Sequence, residues 1–195
     1  MTDQKLVEKA KAFAARVHAG QKQNDIEESP RWPHFEEVAQ LVTDSGGSAN
    51  EIAAAWLHDA VEDTLTTLED LRKEFGDQIA DMVDGLTDPA GYELLPVAER
   101  KAKQAERILA KSPSVKRVKI ADQSSNVKAV GTKVFLDMQG ERAVAYLNGA
   151  KAIVEGCKGV SPYLEKIFQE RYEIALRKLT RGESIKVSTS YQTPS

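Results

Sequence analysis

The stretch AAAWLHDAVEDT, residues 53–64, decides how the rest of the chain is read. Ile52, Ala53, Trp56, Leu57, Ala60 and Val61 recur at helical spacing. They make an apolar stripe wide enough for a central, largely buried helix, predicted from about Asn50 to Asp63. On that helix His58 and Glu62 lie four residues apart and share a face, as do Asp59 and Asp63. An imidazole and three carboxylates thus converge within little more than one turn. Buried like charges repel and lose hydration, so the cluster is costly unless a divalent cation neutralises it. The competing reading is a helix end whose acids face water and whose histidine is a satisfied core residue.

Working outward, Leu6, Ala10, Phe13 and Val17 predict an amphipathic helix ending near His18 to Gly20. Residues 21–33 are polar and carry Pro30 and Pro33, which predicts a loop of a length that is often functional. Phe35, Val38, Ala39 and Val42 predict a helix from His34 to Thr43, stopped by Gly46-Gly47. Beyond the central helix, Thr67 with Asp70 resembles an N-cap for a helix closed by Gly76, and a short helix from Asp77 to Leu86 follows. Asp88 to Leu95 reads as a loop, and Pro96 suits the first turn of a helix running to about Lys111, where Ser112-Pro113 breaks it. The β-branched residues of Val115–Val130 would tolerate a strand, but no second strand is visible to pair with it, so helix is preferred. Glu141–Gly156 and Ser161 to Leu179 are two more helices, the second opened by a serine cap and a proline at its first position. The prediction is an all-α protein with a single domain over residues 1–180 and a polar, frayed tail over 181–195.

At 195 residues, 41% hydrophobic and 29% charged, the chain has the balance of a globular protein with one sizeable core. A net charge of -3 and a pI near 5.7 give no general electrostatic reason to bind nucleic acid or a membrane surface. Cys157 is the only cysteine, so no intrachain disulfide forms; it is expected as a small buried apolar group in a reducing compartment. The N-terminal MTDQKLVEKAKAF has no signal-peptide core, and no run of about 18 apolar residues follows, so a cytoplasmic protein is expected.

A mixed set of histidine nitrogens and aspartate oxygens suits Mn²⁺, Fe²⁺ or Zn²⁺ better than Ca²⁺ and leaves coordination positions open for water and substrate oxygens. The paired-cysteine and His-Glu-x-x-His zinc signatures are absent, as is a Walker-type glycine loop, so NTP-driven chemistry is not expected.

Six blocks in collinear order carry a family resemblance: VHAGQ (17–21), PHFEEVAQL (33–41), AAAWLHDAVEDT (53–64), FGDQIADMVDGLTD (75–88), ERKAKQAERI (99–108) and VKIADQSSNVKAV (118–130). From about residue 5 to residue 180 the chain resembles the HD-type hydrolase domain of RelA/SpoT proteins, with small stand-alone alarmone hydrolases, the metazoan SpoT homologue among them, similar in length. The resemblance implies an all-α HD-domain helical bundle of roughly eight to ten helices that hydrolyses the 3′-pyrophosphate of ppGpp or pppGpp, with Mn²⁺ as cofactor. Carried over by position, His34, His58, Asp59 and Asp122 match the metal ligands. Glu62 and Asp63 match the pair assigned to water activation and proton transfer, and Thr64 completes their motif.

The match weakens at the nucleotide. The family's Arg-Lys pair, whose arginine stacks on guanine, is here Gln23-Asn24; its Asp-Arg is Asp122-Gln123; and a nucleotide-contacting threonine is Ala129, while Asn126 is retained. Phe35 follows His34 where the family has proline. Gln23, Asn24 and Asn126 are therefore the substrate-binding candidates. Lys22, Arg31, Lys119 and Lys128 are read as solvated surface charges. His18 either lines the pocket or closes the first helix. The expected partner is a small-molecule nucleotide rather than nucleic acid or membrane, and the resemblance leaves room for a homo-oligomer. Two other functions compete: an HD phosphohydrolase acting on an adenosine alarmone or the 2′-phosphate of NADPH, and a helical binding protein without turnover.

Overall fold

The computed structural model describes residues 2–19, 32–130 and 140–181. In chain order they form α1 (Asp3–Val17), α2 (Trp32–Asp44), α3 (Ala49–Leu57), α4 (Ala60–Asp63), α5 (Leu68–Phe75), α6 (Asp77–Leu86), a 3₁₀ turn (Tyr92–Leu94), α7 (Val97–Leu109), α8 (Pro113–Ala129), α9 (Gly140–Glu155) and α10 (Pro162–Arg181). The fold is all-α, and no strand forms among the described residues.

Local chemistry sets the helix starts. Ser48 and Glu51 form a reciprocal capping box on α3, and Thr67 with Asp70 forms the same arrangement on α5. Gly76, at φ 85°, takes the left-handed turn that separates α5 from α6, a conformation a side chain resists. Ser112 caps α8 by accepting from the Val115 N–H, with Pro113 at the first helical position.

The helices share one hydrophobic core, to which Phe35, Leu57, Leu71, Ile79, Ile120, Leu147, Ile153 and Leu164 contribute fully buried side chains. α8 packs against α2, α3, α6, α9 and α10, and residues on all its faces are buried. That explains why its sequence shows no clean amphipathic stripe: a helix covered on every side does not need one. The helix reading of Val115–Val130 is borne out. Cys157 is fully buried, its Sγ 3.3 Å from the Ile153 carbonyl, and burial pushes the thiol up to about 12. No helix of the described residues is long and apolar enough to cross a membrane.

Three predicted boundaries differ. The single helix expected over Asn50–Asp63 is interrupted at His58–Asp59, where Asp59 takes φ −99°, ψ 0°, the bridge conformation common among active-site residues. Trp32 and Pro33, predicted as loop, form the first turn of α2; a proline there removes an N–H that no helical carbonyl needs, and the Trp32 ring packs 5.2 Å from that of Trp56. Pro96 stands just before α7 rather than within it. The rest of the predicted loop, and the tail beyond Arg181, lie outside the described residues.

The contact of α6 with α8 depends on Gly85, where an added Cβ would come 2.8 Å from a Val115 γ-methyl. Gly85→Ala gains about 1 kcal/mol of helix propensity, so a net destabilisation of about 1–3 kcal/mol in urea unfolding would report the clash. Gly85→Ala combined with Val115→Ala is expected to be more stable than the two single losses added together by about 1 kcal/mol. Strict additivity would show that the helices simply move apart.

Candidate metal centre and active site

Consecutive residues of a regular α-helix point about 100° apart, so His58 and Asp59 diverge on an unbroken helix. The interruption between α3 and α4 brings them together: His58 Nε2 lies 3.3 Å from Asp59 Oδ1. From the first turn of α2, His34 Nε2 comes to 3.1 Å from His58 Nε2. From the middle of α8, Asp122 Oδ1 stands 3.7 Å from His34 Nε2 and 3.9 Å from His58 Nε2. Candidate ligand atoms of His34, His58 and Asp59 all lie within 4.8 Å of one another. Residues separated by up to 88 positions in sequence thus meet in one cluster, buried except for the partly exposed Asp59.

The hydrogen bonds of the two imidazoles decide which nitrogen is available. His58 Nδ1 lies 2.8 Å from the Ala55 carbonyl, which can only accept, so Nδ1 carries the proton and a neutral ring leaves Nε2 with a lone pair. His34 Nδ1 lies 2.9 Å from Ser125 Oγ, which donates its own proton to Glu37 Oε2 at 2.8 Å. Ser125 therefore accepts from His34 Nδ1–H, and a neutral His34 ring likewise carries its lone pair on Nε2. With both rings neutral, two lone pairs face each other across 3.1 Å, a repulsion relieved by a proton on one ring or by a metal ion between them. Nitrogens bound cis to one transition-metal ion at about 2.1 Å stand about 3 Å apart, so the residues fit such an ion.

Surrounding groups hold these ligands in place. Glu37 accepts from Lys128 Nζ at 2.7 Å and from Arg171 Nη2 at 2.8 Å, and Arg171 also reaches the Ser124 carbonyl, which ties α10 to the histidine cluster. Burial alone would raise the Glu37 pKa, but the Lys128 and Ser125 hydrogen bonds and the Arg171 charge hold it below the usual value. Asp122 accepts from Lys119 Nζ (3.1 Å) and Gln123 Nε2 (2.9 Å) on Oδ2, and from Asn126 Nδ2 (2.6 Å) on Oδ1. Against the cost of its burial, the positive charge of Lys119 foremost drives its carboxyl far below the usual range.

Lys119 corrects the surface-charge reading. It sits one turn before Asp122 on a helix buried on all sides, and its side chain is only 13% exposed. Lys128, at 61% exposed, fits that reading better, although it is paired with Glu37. Lys22, Arg31, Gln23 and Asn24 lie outside the described residues. Asn126, a substrate-binding candidate, directs its side-chain amide to Asp122.

Glu62 lies on the short helix α4, where its Oε1 accepts the Asp88 backbone N–H. Asp88 is in turn held by Gln104 and Arg107, and Arg107 Nη2 also donates to the Thr87 carbonyl at 3.1 Å. Burial, then the Asp59 charge, pushes the Glu62 carboxyl up to about 7. Asp63, partly exposed, ends α4 with its N–H on the Asp59 carbonyl, and Thr64 Oγ1 donates to the Ala60 carbonyl. His18 caps α1 and packs its buried ring 4.5 Å from that of Phe35, which in turn lies 5.7 Å from the His58 ring. It closes the helix and backs the pair of histidines.

Sequence reasoning missed Glu37, Asp88, Gln104, Arg107, Ser125 and the pairing of Lys119. The one available signal was Glu37, three residues after His34 and so on the same helix face.

Residues 10–134 match the family model described as HD domain. The guanosine-3′,5′-bis(diphosphate) 3′-pyrophosphohydrolases MESH1 of Mus musculus and Homo sapiens are each 34% identical over 163 residues, covering 83% of this chain and 89% of the relative. A solved structure described as a metazoan ortholog of SpoT that hydrolyses ppGpp matches with a TM-score of 0.74 at 28% identity, over 87% of this chain and 94% of that one. On the domain match and these similarities together, the chain belongs to the HD-domain family, on its RelA/SpoT-type branch.

Proposed function

We propose that this chain is a metal-dependent hydrolase that removes the 3′-pyrophosphate of ppGpp or pppGpp, giving GDP or GTP and pyrophosphate. The observation that carries this reading is the pair of imidazole lone pairs facing each other at 3.1 Å, flanked by Asp59 and Asp122 and with Glu62 close by. The activity named for the MESH1 relatives supports the substrate. His34, His58, Asp59 and Asp122 would hold the ion, which we take to be Mn²⁺ on the family resemblance; their two nitrogens and two carboxylates suit a transition metal of this kind. A bound ion of this kind supplies Lewis acidity toward water and phosphoryl oxygens. The enzyme acts in the cytoplasm on this small nucleotide, through a hydrolase domain spanning residues 1–180.

Glu62 takes the proton of the attacking water. Its oxygen is held by the Asp88 N–H, and a carboxyl poised at about 7 can accept a proton at neutral pH and release it afterwards. Water attacks the phosphorus attached to the 3′ oxygen, the P–O3′ bond breaks, and the proton needed by the departing 3′ oxygen passes through Asp63. Lys119 offsets the negative charge that Glu62, Asp88 and Asp122 would otherwise concentrate beside an anionic substrate.

A second reading, hydrolysis of another phosphorylated nucleotide, is favoured by the lack of a cation at Gln23-Asn24 and by the engagement of the Asn126 amide with Asp122.

With Mn²⁺, pyrophosphate release from ppGpp is expected, and His58→Ala is expected to abolish it. Activity confined to NADPH or to 3′-phosphorylated adenine nucleotides would keep the site and discard the guanine, while silence on all of them would favour a binding protein. Asp63→Asn is expected to lower turnover about 100-fold or more, and near-native turnover would remove Asp63 from the mechanism.

Glu62→Gln separates catalysis from stability. The folded-state pKa of Glu62 is raised, so its favourable contribution is complete below the unfolded value near 4.5 and is lost as pH rises through about 7. Metal-free wild type should therefore lose Tm between pH 5 and pH 8, and Glu62→Gln should lose less, a difference on the order of 1–3 kcal/mol. Turnover of the metal-loaded variant should fall about 100-fold or more. Parallel Tm profiles for the two proteins would show that Glu62 ionises without penalty.

A further inference from the structure

Lys101, in α7, is 4% exposed, yet its ammonium makes no ion pair with a carboxylate among the described residues. Its Nζ donates to Gln123 Oε1 at 2.8 Å and lies 4.4 Å over the Tyr146 ring. The slot is built for it. Gly149 on α9 faces the lysine stem so closely that a Cβ there would come 2.3 Å from the Lys101 Cβ. A buried cation with one neutral hydrogen-bond acceptor costs stability, and an apolar side chain of the same length would fill the slot without that cost.

The charge acts on Gln123, whose side chain is buried and bridges two groups. Burial foremost lowers the Lys101 pKa to about 7, and in its ammonium form the group can only donate, so the amide turns its oxygen toward Lys101. An ionised carboxylate can only accept, so the amide must turn its nitrogen toward Asp122, where Nε2 donates to Oδ2 at 2.9 Å. One amide orientation satisfies both ends. Oδ2 of Asp122 is thereby occupied by Gln123 and Lys119, and Oδ1, which accepts from Asn126 Nδ2 at 2.6 Å, faces the Nε2 atoms of His34 and His58.

We propose that Lys101 is a positioning residue of the metal centre: through Gln123 it fixes the rotation of Asp122 and so selects Oδ1 as the oxygen offered to the ion. The lysine touches neither the substrate nor the ion. Its role rests on the metal-site reading given above. An amide can receive the ammonium on one side and serve the carboxylate on the other.

The test is Mn²⁺ affinity of the purified chain without substrate, measured by electron paramagnetic resonance titration of free Mn²⁺, alongside thermal melting of the metal-free protein. Lys101→Met is expected to weaken Mn²⁺ binding about 10- to 100-fold while leaving the metal-free Tm equal to or above that of wild type. Gln123→Met is expected to weaken binding similarly, and Lys101→Met together with Gln123→Met to be no weaker than Gln123→Met alone, because the lysine acts through the amide. Unchanged Mn²⁺ affinity in Lys101→Met, with wild type binding and His58→Ala not binding, would overturn this proposal and leave the metal site standing. Weakening by Lys101→Met that simply adds to that of Gln123→Met would also overturn it. Wild type and His58→Ala that equally fail to bind Mn²⁺ would overturn the metal-site reading and this proposal with it.

Discussion

Two imidazole nitrogens held 3.1 Å apart, each ring with its other nitrogen already committed as a donor, are the arrangement on which the rest of this structure turns. The pair is kept in place by the Ala55 carbonyl at the end of α3 and by a hydroxyl and a carboxylate contributed by α8 and α2. The carboxylate, on Glu37, is in turn clamped by Arg171 from α10, so one end of the bundle is organised around the tautomers of two histidines. The core supplies the rigidity this needs: Phe35 and Leu57, chain neighbours of His34 and His58, are fully buried.

The same logic continues around Asp122. A buried carboxylate is tolerated where donors satisfy its oxygens and positive charge lies nearby. Lys119, Gln123 and Asn126 supply the donors, and Lys101 supplies a second cation at one remove. Glu62 receives different treatment. It keeps one backbone donor, and it sits beside the negative charges of Asp59 and Asp88, so its carboxyl holds its proton more tightly than usual. Two carboxylates in one site are thus driven in opposite directions, one toward permanent charge suited to an ion and the other toward a pKa suited to proton transfer.

Helix positions were largely legible from periodicity and caps, since both act over three or four residues: Ser48 with Glu51, Thr67 with Asp70, and Ser112 with Pro113 start helices where the sequence places them. The break at His58–Asp59 was not legible, because the apolar stripe runs through it without interruption and the residues concerned are ordinary helix-compatible types. Lys119 was misread for a related reason. A lysine is solvated on most helices, and only the packing of five other helices around α8 shows that this one is enclosed.

The sequence by itself determined the helical class, the order of the elements and which residue types could serve an ion, because these depend on spacing along the chain and on side-chain chemistry. The tertiary structure decided which nitrogen of each histidine faces the cluster, which oxygen of Asp122 does, and which cations are enclosed rather than solvated. Those choices are made by partners up to 134 positions away, such as Arg171 on Glu37, and by the direction of hydrogen bonds between buried groups. Neither leaves a trace in local spacing, since a donor and an acceptor brought together by packing need no common register in the chain.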